Sequence, residues 1–311
     1  MKANRTLVTT AAVLSMFFWG MSFVWSKVVF EYYSPLSTIF IRLLLSSLLL
    51  IMIWQIFIRE QKIKRKDAGL FLLSAFFSPF CYFIGESYGL QRVSSTIASV
   101  IIATIPVFTP FTAWLFLRER LSVLNFAGLF ISFVGVLVML LNKDLTLNAS
   151  LSGVGLLLFA VFSALGYGIL IRKLSLRYHP VVIVAVQNLL GAVYFLPFFL
   201  YLDLSHVLHT SLTFNLVYSM AALFIFASSA AFILYTYVIK HLGIARSNIY
   251  SNLIPVFTAV FSYFILSEQM TFAKWTGMLI VIGGVVIAQS GKLFLNMNKA
   301  PGENAKQGPG K

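Results

Sequence analysis

Apolar stretches of about 20 residues recur along this 311-residue chain, separated by short polar breaks. At about 1.5 Å per residue, each is long enough to cross the roughly 30 Å hydrocarbon core of a bilayer as one α-helix. Ten spans are predicted, at roughly 7–29, 35–58, 68–90, 94–117, 121–141, 153–174, 180–201, 215–240, 247–267 and 271–291. The thinnest breaks are Gln91-Arg92-Val93 and the stretch from Lys240 to Arg246. The first apolar run, Leu7 to Ser26, is longer than the core of a signal peptide and no small-x-small cleavage site follows it, so it is expected to be retained. A spanning β-barrel would alternate apolar and polar residues. Runs such as Leu43-Leu44-Leu45 and Leu156-Leu157-Leu158 are apolar on every side, which selects helices. Composition agrees: 59% of residues are hydrophobic and 10% charged, too few charges to cover a soluble surface, and 31 Phe exclude a disordered chain.

The net charge is +14. In a soluble protein that excess would suggest nucleic acid, but here its position matters more than its size. With the N-terminus placed in the cytoplasm, Lys27, Arg92, Lys143 and Lys274 fall outside, Arg42 lies within a span, and the remaining 18 of the 23 Lys and Arg fall inside. That bias predicts an even number of spans with both termini cytoplasmic. Residues 1–6 form the cytoplasmic N-terminus and 292–311 a flexible cytoplasmic tail. The single Cys, Cys81, excludes an internal disulfide and a Cys-based zinc site.

The chain also repeats itself. Ile105-Pro106-Val107-Phe108-Thr109 recurs as Ile254-Pro255-Val256-Phe257-Thr258, an offset of 149 that also aligns Leu117 with Leu266, Glu119 with Glu268, Gly128 with Gly277 and Gly135 with Gly284. Pro, Glu and two Gly matching in register point to duplication. Earlier in each half the offset is about 145: Pro35 meets Pro180, just after Tyr33 and Tyr178, and Arg42 meets Gln187. Each half, 7–141 and 153–291 around a linker at 142–152, therefore holds five spans. An odd number forces the copies into opposite orientations. Inverted repeats are an architecture of secondary transporters, with substrate bound near the midplane where the halves meet.

Trp19-Gly20 followed by Ser22-Phe23-Val24 and Lys27, then Pro35 with Arg42 seven residues on, Pro106, Arg118-Glu119-Arg120-Leu121, and a second copy ending in Glu268 and Gly277, resemble the EamA family. This is the bacterial ten-helix branch of the drug/metabolite transporter superfamily. The resemblance covers about residues 7–291. It implies a basket of two inverted five-helix repeats in the bacterial cytoplasmic (inner) membrane, with a cavity opening alternately to each side. It further implies movement of small polar metabolites, often export of amino acids and relatives. The second half departs from the pattern: its sixth span has no Trp-Gly pair, and Gln187 stands where the first half has Arg42.

Intramembrane charges are costly and few, so they are functional candidates. Arg42 either holds a substrate carboxylate or forms a structural pair. Glu86, on one helix face with Tyr82, either takes a substrate ammonium or a coupling proton, or is a helix-end acid. Gln187, Asn188, Asn248, Asn252 and Tyr235 either bond between helices or line a polar cavity. Trp19 and Tyr167, in the first span of each half, could stack on a ligand. Pro106 and Pro255 are expected to kink their helices, as a hinge or as simple curvature. Glu119 and Glu268 read as capping acids. His206 and His209, three apart, lack further ligands, so no metal is expected. No phosphate-binding glycine loop is present, which argues against ATP-driven transport, and no cofactor is expected. An integral-membrane enzyme acting on lipid-linked substrates would need carboxylates or His clustered near one leaflet, and a sensor or subunit would carry a soluble domain. Neither is visible. The expected partners are a small-molecule substrate, membrane lipid and a coupling proton, with no nucleic acid, in a monomer or weak dimer.

Overall fold

A computed structural model describes residues 5–117, 122–140 and 149–297, with residues 112–117, 245 and 289–297 as backbone only. All its regular elements are helical. In chain order they are α1 (Arg5–Val29), α2 (Pro35–Phe57), α3 (Arg65–Arg92), α4 (Ser95–Ile102 continuing as Ile105–Leu117), α5 (Val123–Leu140), α6 (Leu151–Ser175), α7 (Pro180–Leu202), α8 (Phe214–Leu242), α9 (Arg246–Leu266) and α10 (Phe272–Met297). A short helix, Leu204–His209, joins α7 to α8. Eight helices are long and apolar enough to cross a membrane; the apolar stretches Ser95–Phe111 of α4 and Phe272–Ala288 of α10 are shorter. The last helix runs on to Met297, past the expected end at 291.

Helix starts follow local chemistry. Ser34 Oγ accepts from Ser37 N at 3.1 Å ahead of Pro35, and His179 Nδ1 accepts from Val181 N at 3.4 Å ahead of Pro180. A cap followed by proline suits a first turn, where the missing N–H has no partner to lose. Ser94 and Thr213 cap α4 and α8 in the same way.

Two interruptions were not expected from the sequence. Helix α3 breaks at Ser78 (φ −148°, ψ 121°), ahead of Pro79 across a cis peptide bond, with a π turn over Phe76–Cys81. Helix α8 widens into a π segment over Leu223–Ala231, where Ser229 Oγ donates to Phe224 O at 2.6 Å. Pro106 and Pro255 do not sit mid-helix. Each lies in the first turn after a change of helix type, α4 breaking at Ala103–Thr104 and α9 passing from a 3₁₀ turn (Ile249–Asn252) into Leu253–Leu266. Proline tolerates that place better than an interior one.

The packing exchanges the two halves. Helix α5 packs on its counterpart α10 and α2 on α7, while α1 packs on α8 and α9 just as α6 packs on α3 and α4. At α5–α10 the position of a Cβ on Gly128 is 2.5 Å from Gly284 O, and one on Gly135 is 2.8 Å from Gly277 O. Adding 149 to Gly128 gives Gly277 and subtracting 149 from Gly284 gives Gly135, so exchanging the halves turns one pair into the other and the interface maps onto itself. Rising numbers on one helix meet falling numbers on the other, so the helices are antiparallel. At α2–α7 the same holds with offset 145: Leu43 meets Gly191, and Ser46 Oγ accepts from Asn188 Nδ2 at 2.7 Å. Small residues bring these backbones together where no hydrophobic gradient draws helices to one another in lipid.

Candidate functional site

Arg42 projects from α2 into the centre of the bundle, where it is only 2% exposed. Its Nε donates to Ser228 Oγ of α8 at 2.8 Å, and its Cζ lies 4.3 Å from the centroid of the Phe83 ring of α3. Glu86, on α3 below that ring, is buried, accepts from Tyr82 OH at 3.3 Å and shares an electrostatic field with Arg42. The single ion pair among the described residues is elsewhere, between Arg177 and Asp67, so Arg42 and Glu86 do not close a direct bridge.

The polar set continues across the halves. Tyr235 of α8 donates to Asn248 Oδ1, whose Nδ2 donates to Thr109 Oγ1 of α4 at 3.1 Å. Trp19 of α1 lies edge-on to Tyr235 and Phe232, with ring centroids 4.8 and 5.0 Å away. Tyr167 OH donates to Gln187 Oε1 at 3.2 Å, and Gln187 Nε2 donates to Ser74 Oγ of α3 at 3.0 Å. Tyr82 and Tyr167 each lie near enough to Tyr235 for the hydroxyls to interact electrostatically. Counterpart positions behave alike: Arg42 of the first half and Gln187 of the second each reach a serine on the interrupted helix of the other half. A buried polar group without a partner costs about 1–3 kcal/mol, and nearly every group here has one.

The structure therefore brings Trp19, Arg42, Tyr82, Glu86, Tyr167, Gln187, Tyr235 and Asn248 to one place. Asn188 lies beside it but is spent on Ser46 Oγ and on Ser228 O at 2.9 Å, a tie between helices. Asn252, four residues after Asn248, was expected with it among the groups that bond between helices or line a polar cavity. The 3₁₀ turn over Ile249–Asn252 rotates it away, and its buried Oδ1 has no partner. Pro106 and Pro255 lie in the first turns of their helix segments. Ser74, Ser228, Thr109 and Phe83 were missed from the sequence; the Ser228-Ser229 pair within an apolar run was the one available signal.

Both ends of the α2–α7 pair are tied. At one end Asp203 Oδ2 accepts from Ser34 Oγ, from Ser37 Oγ at 2.7 Å and from Ser37 N at 3.2 Å. At the other, Gln61 Oε1 accepts from His179 N at 2.7 Å, and Asp67 takes both Arg177 and the Tyr178 hydroxyl. Glu268 caps α4, as the capping reading expected: Oε1 accepts from Ser95 N at 2.7 Å and Oε2 from Thr96 Oγ1 at 2.9 Å. Glu119 lies outside the described residues.

The chain resembles known proteins over nearly its whole length. The EamA-like transporter family matches twice, at residues 7–141 and 151–289. An uncharacterized transporter of Archaeoglobus fulgidus is 26% identical over 274 residues, covering 88% of this chain and 95% of its own. The uncharacterized transporter YetK of Bacillus subtilis is 26% identical over 305 residues, covering 92% of this chain and 87% of its own. A solved crystal structure at 15% identity covers 96% of this chain and all of its own with a TM-score of 0.65, a likeness of fold alone. Two matches of one family, spanning almost the whole of a multi-pass helical chain, leave one assignment: the chain belongs to the EamA-like transporter family.

Proposed function

We propose that this chain is a ten-span secondary transporter that exports or exchanges a small polar metabolite of the amino-acid class. Its two inverted five-helix halves would alternate access to the cluster around Arg42 and Glu86. The observation that carries the reading is this pair of opposite charges, buried where the halves meet and held apart rather than joined. A guanidinium and a carboxylate placed so can receive the carboxylate and ammonium of one zwitterion, each charge finding an opposite one. Trp19, Tyr82, Tyr167 and Tyr235 would supply the walls. The antiparallel, self-mapping contacts of α5 with α10 and of α2 with α7 support the inversion, because a two-fold axis that makes counterpart helices antiparallel runs across them. In a bilayer that axis lies in the membrane plane. The charge bias supports cytoplasmic termini in a bacterial inner membrane, and Glu86 is the candidate proton carrier.

Counterflow in proteoliposomes, with a panel of amino acids and related metabolites, tests the reading. Exchange of at least one zwitterionic solute, lost in Arg42→Gln, is expected. No flux for any solute would refute transport. Full pH-dependent flux in Glu86→Gln would remove Glu86 as the proton carrier.

A further inference from the structure

At the end of the bundle that holds Gln61 and Asp67, the loop between α2 and α3 meets the loop between α6 and α7. Gln61 ties them, its Nε2 donating to Arg177 O at 3.2 Å and its Oε1 accepting from His179 N. Two adjoining cavities open beside this tie, the first of about 550 Å³, and they share Glu60, Gln61, Arg177 and Tyr178. The charged lining is lopsided. Arg59, Lys62, Lys64, Lys66, Arg177 and Lys240 face them, against only Glu60 and Asp67. Asp67 is already engaged by Arg177 and Tyr178. Burial and the Lys240 ammonium hold the His179 imidazole below its usual range, which favours its neutral form, so it neither adds to these cations nor offsets them.

The other wall of the first cavity is apolar. Ile56, Phe57 and Leu176 line it while standing exposed, Phe57 at 77%. A membrane span ends here, so these side chains lie at the boundary between hydrocarbon and water. Apolar contact on one side and an excess of cations on the other, with Arg59 and Lys240 outside the Arg177–Asp67 pair, match a molecule that is itself divided so, a phosphodiester headgroup joined to acyl chains.

We propose that this cavity is a binding site for an anionic phospholipid of the cytoplasmic leaflet, with Arg59, Arg177 and Lys240 around the phosphate and Ile56, Phe57 and Leu176 against the glycerol and acyl stem. The proposal rests on the membrane orientation given above and is independent of which solute is carried. Because the cavity is built from one loop of each half, a lipid seated there bridges the halves. Its occupancy therefore bears on their relative movement.

Native mass spectrometry of the full-length protein, from micelles with equal phosphatidylglycerol and phosphatidylcholine, tests it. Each Lys or Arg near an anionic headgroup is worth roughly a fivefold preference, so wild type should retain phosphatidylglycerol well over tenfold above phosphatidylcholine. Arg59→Gln/Lys240→Gln should cut that preference by roughly 25-fold. Lys173→Gln, on the same face outside the cavity, should leave it unchanged. Equal retention of the two lipids by wild type overturns the proposal, whatever the variants do. So does an equal loss in Lys173→Gln, which would mean diffuse attraction to the whole face. Displacement of the lipid by millimolar inorganic phosphate would assign the site to a free anion and overturn the lipid as occupant. Failure of the transport assay leaves this measurement intact, and the reverse also holds.

Discussion

Helices α5 and α10 approach one another backbone to backbone, and the structure dictates what one methyl group there would do. A Cβ added at Gly284 would lie 2.4 Å from Ser132 Oγ, 2.6 Å from Ser132 N and 2.7 Å from Gly128 O. The hydroxyl can rotate away, but the two backbone atoms cannot. Ordinary contact begins near 3.4 Å, so the helices must part by roughly 0.8 Å. Overpacking of that kind costs about 1–3 kcal/mol. Gly283, the preceding residue in the same helix, has nothing within 4 Å of its added Cβ. Both substitutions gain the same helix propensity, about 1 kcal/mol from Gly to Ala, so that gain cancels in the comparison.

The expected result is that Gly283→Ala is neutral or stabilising, and that Gly284→Ala is less stable than it by about 1–3 kcal/mol. Gly135→Ala, the counterpart position in the first half, should match Gly284→Ala, since its Cβ would lie 2.8 Å from Gly277 O and Val281 N. Equilibrium unfolding of the purified protein in mixed micelles, followed by circular dichroism, gives the difference directly. If Gly284→Ala and Gly283→Ala agree within a few tenths of a kcal/mol, the helices are not in backbone contact and the self-mapping interface is wrong.

Three further outcomes are expected. Asp203→Asn removes the charge from an acceptor of three bonds, and Glu268→Gln does the same at the start of α4; each should lower stability by about 1–3 kcal/mol in the same unfolding assay. The His179 imidazole is held below its usual value by burial and by Lys240, so the folded chain resists a proton that the unfolded chain accepts. Stability should then fall as pH drops through about 6.5, and unfolding midpoints of His179→Asn across that range should lose this slope. Arg42→Lys keeps a positive charge but loses the planar face over Phe83 and the Nε donor to Ser228, so counterflow should fall at least about tenfold, and wild-type exchange by the lysine variant would show that charge alone suffices.

The scarcity of charge made the centre of this molecule legible. Once the loops account for most Lys and Arg, Arg42 and Glu86 stand out, and the structure places them together. Their serine partners were not legible, because serine is frequent in these spans and one sequence does not say which faces meet. The interruptions divide the same way. Pro79 was an available signal in α3 that was passed over, whereas the π segment at Leu223–Ala231 contains no proline or glycine and left no mark. Asn248 and Asn252 show a spacing rule failing for a physical reason. Residues four apart share a face only on an α-helix, and the 3₁₀ turn between them advances a different angle per residue. The family pattern located the repeats but not the ties at their ends, where Asp203 and Asp67 lie outside the repeated motifs.

The duplication also explains why the centre is lopsided. At α5–α10 and α2–α7 the two halves present matching residues to matching partners, and there the symmetry serves packing. Arg42 and Gln187 occupy equivalent places and make equivalent cross-half contacts, to Ser228 and Ser74, yet only one carries a charge. A second arginine at position 187 would put two guanidiniums into one buried centre with Glu86 as the acid beside them, and like charges in low dielectric repel strongly. A neutral amide keeps the hydrogen bond and avoids the repulsion. It also leaves the field of the site pointing one way, from Arg42 toward Glu86. Under the proposed alternating access, a two-fold scaffold with a one-way field would hold a polar solute in a single orientation while its two halves exchange places.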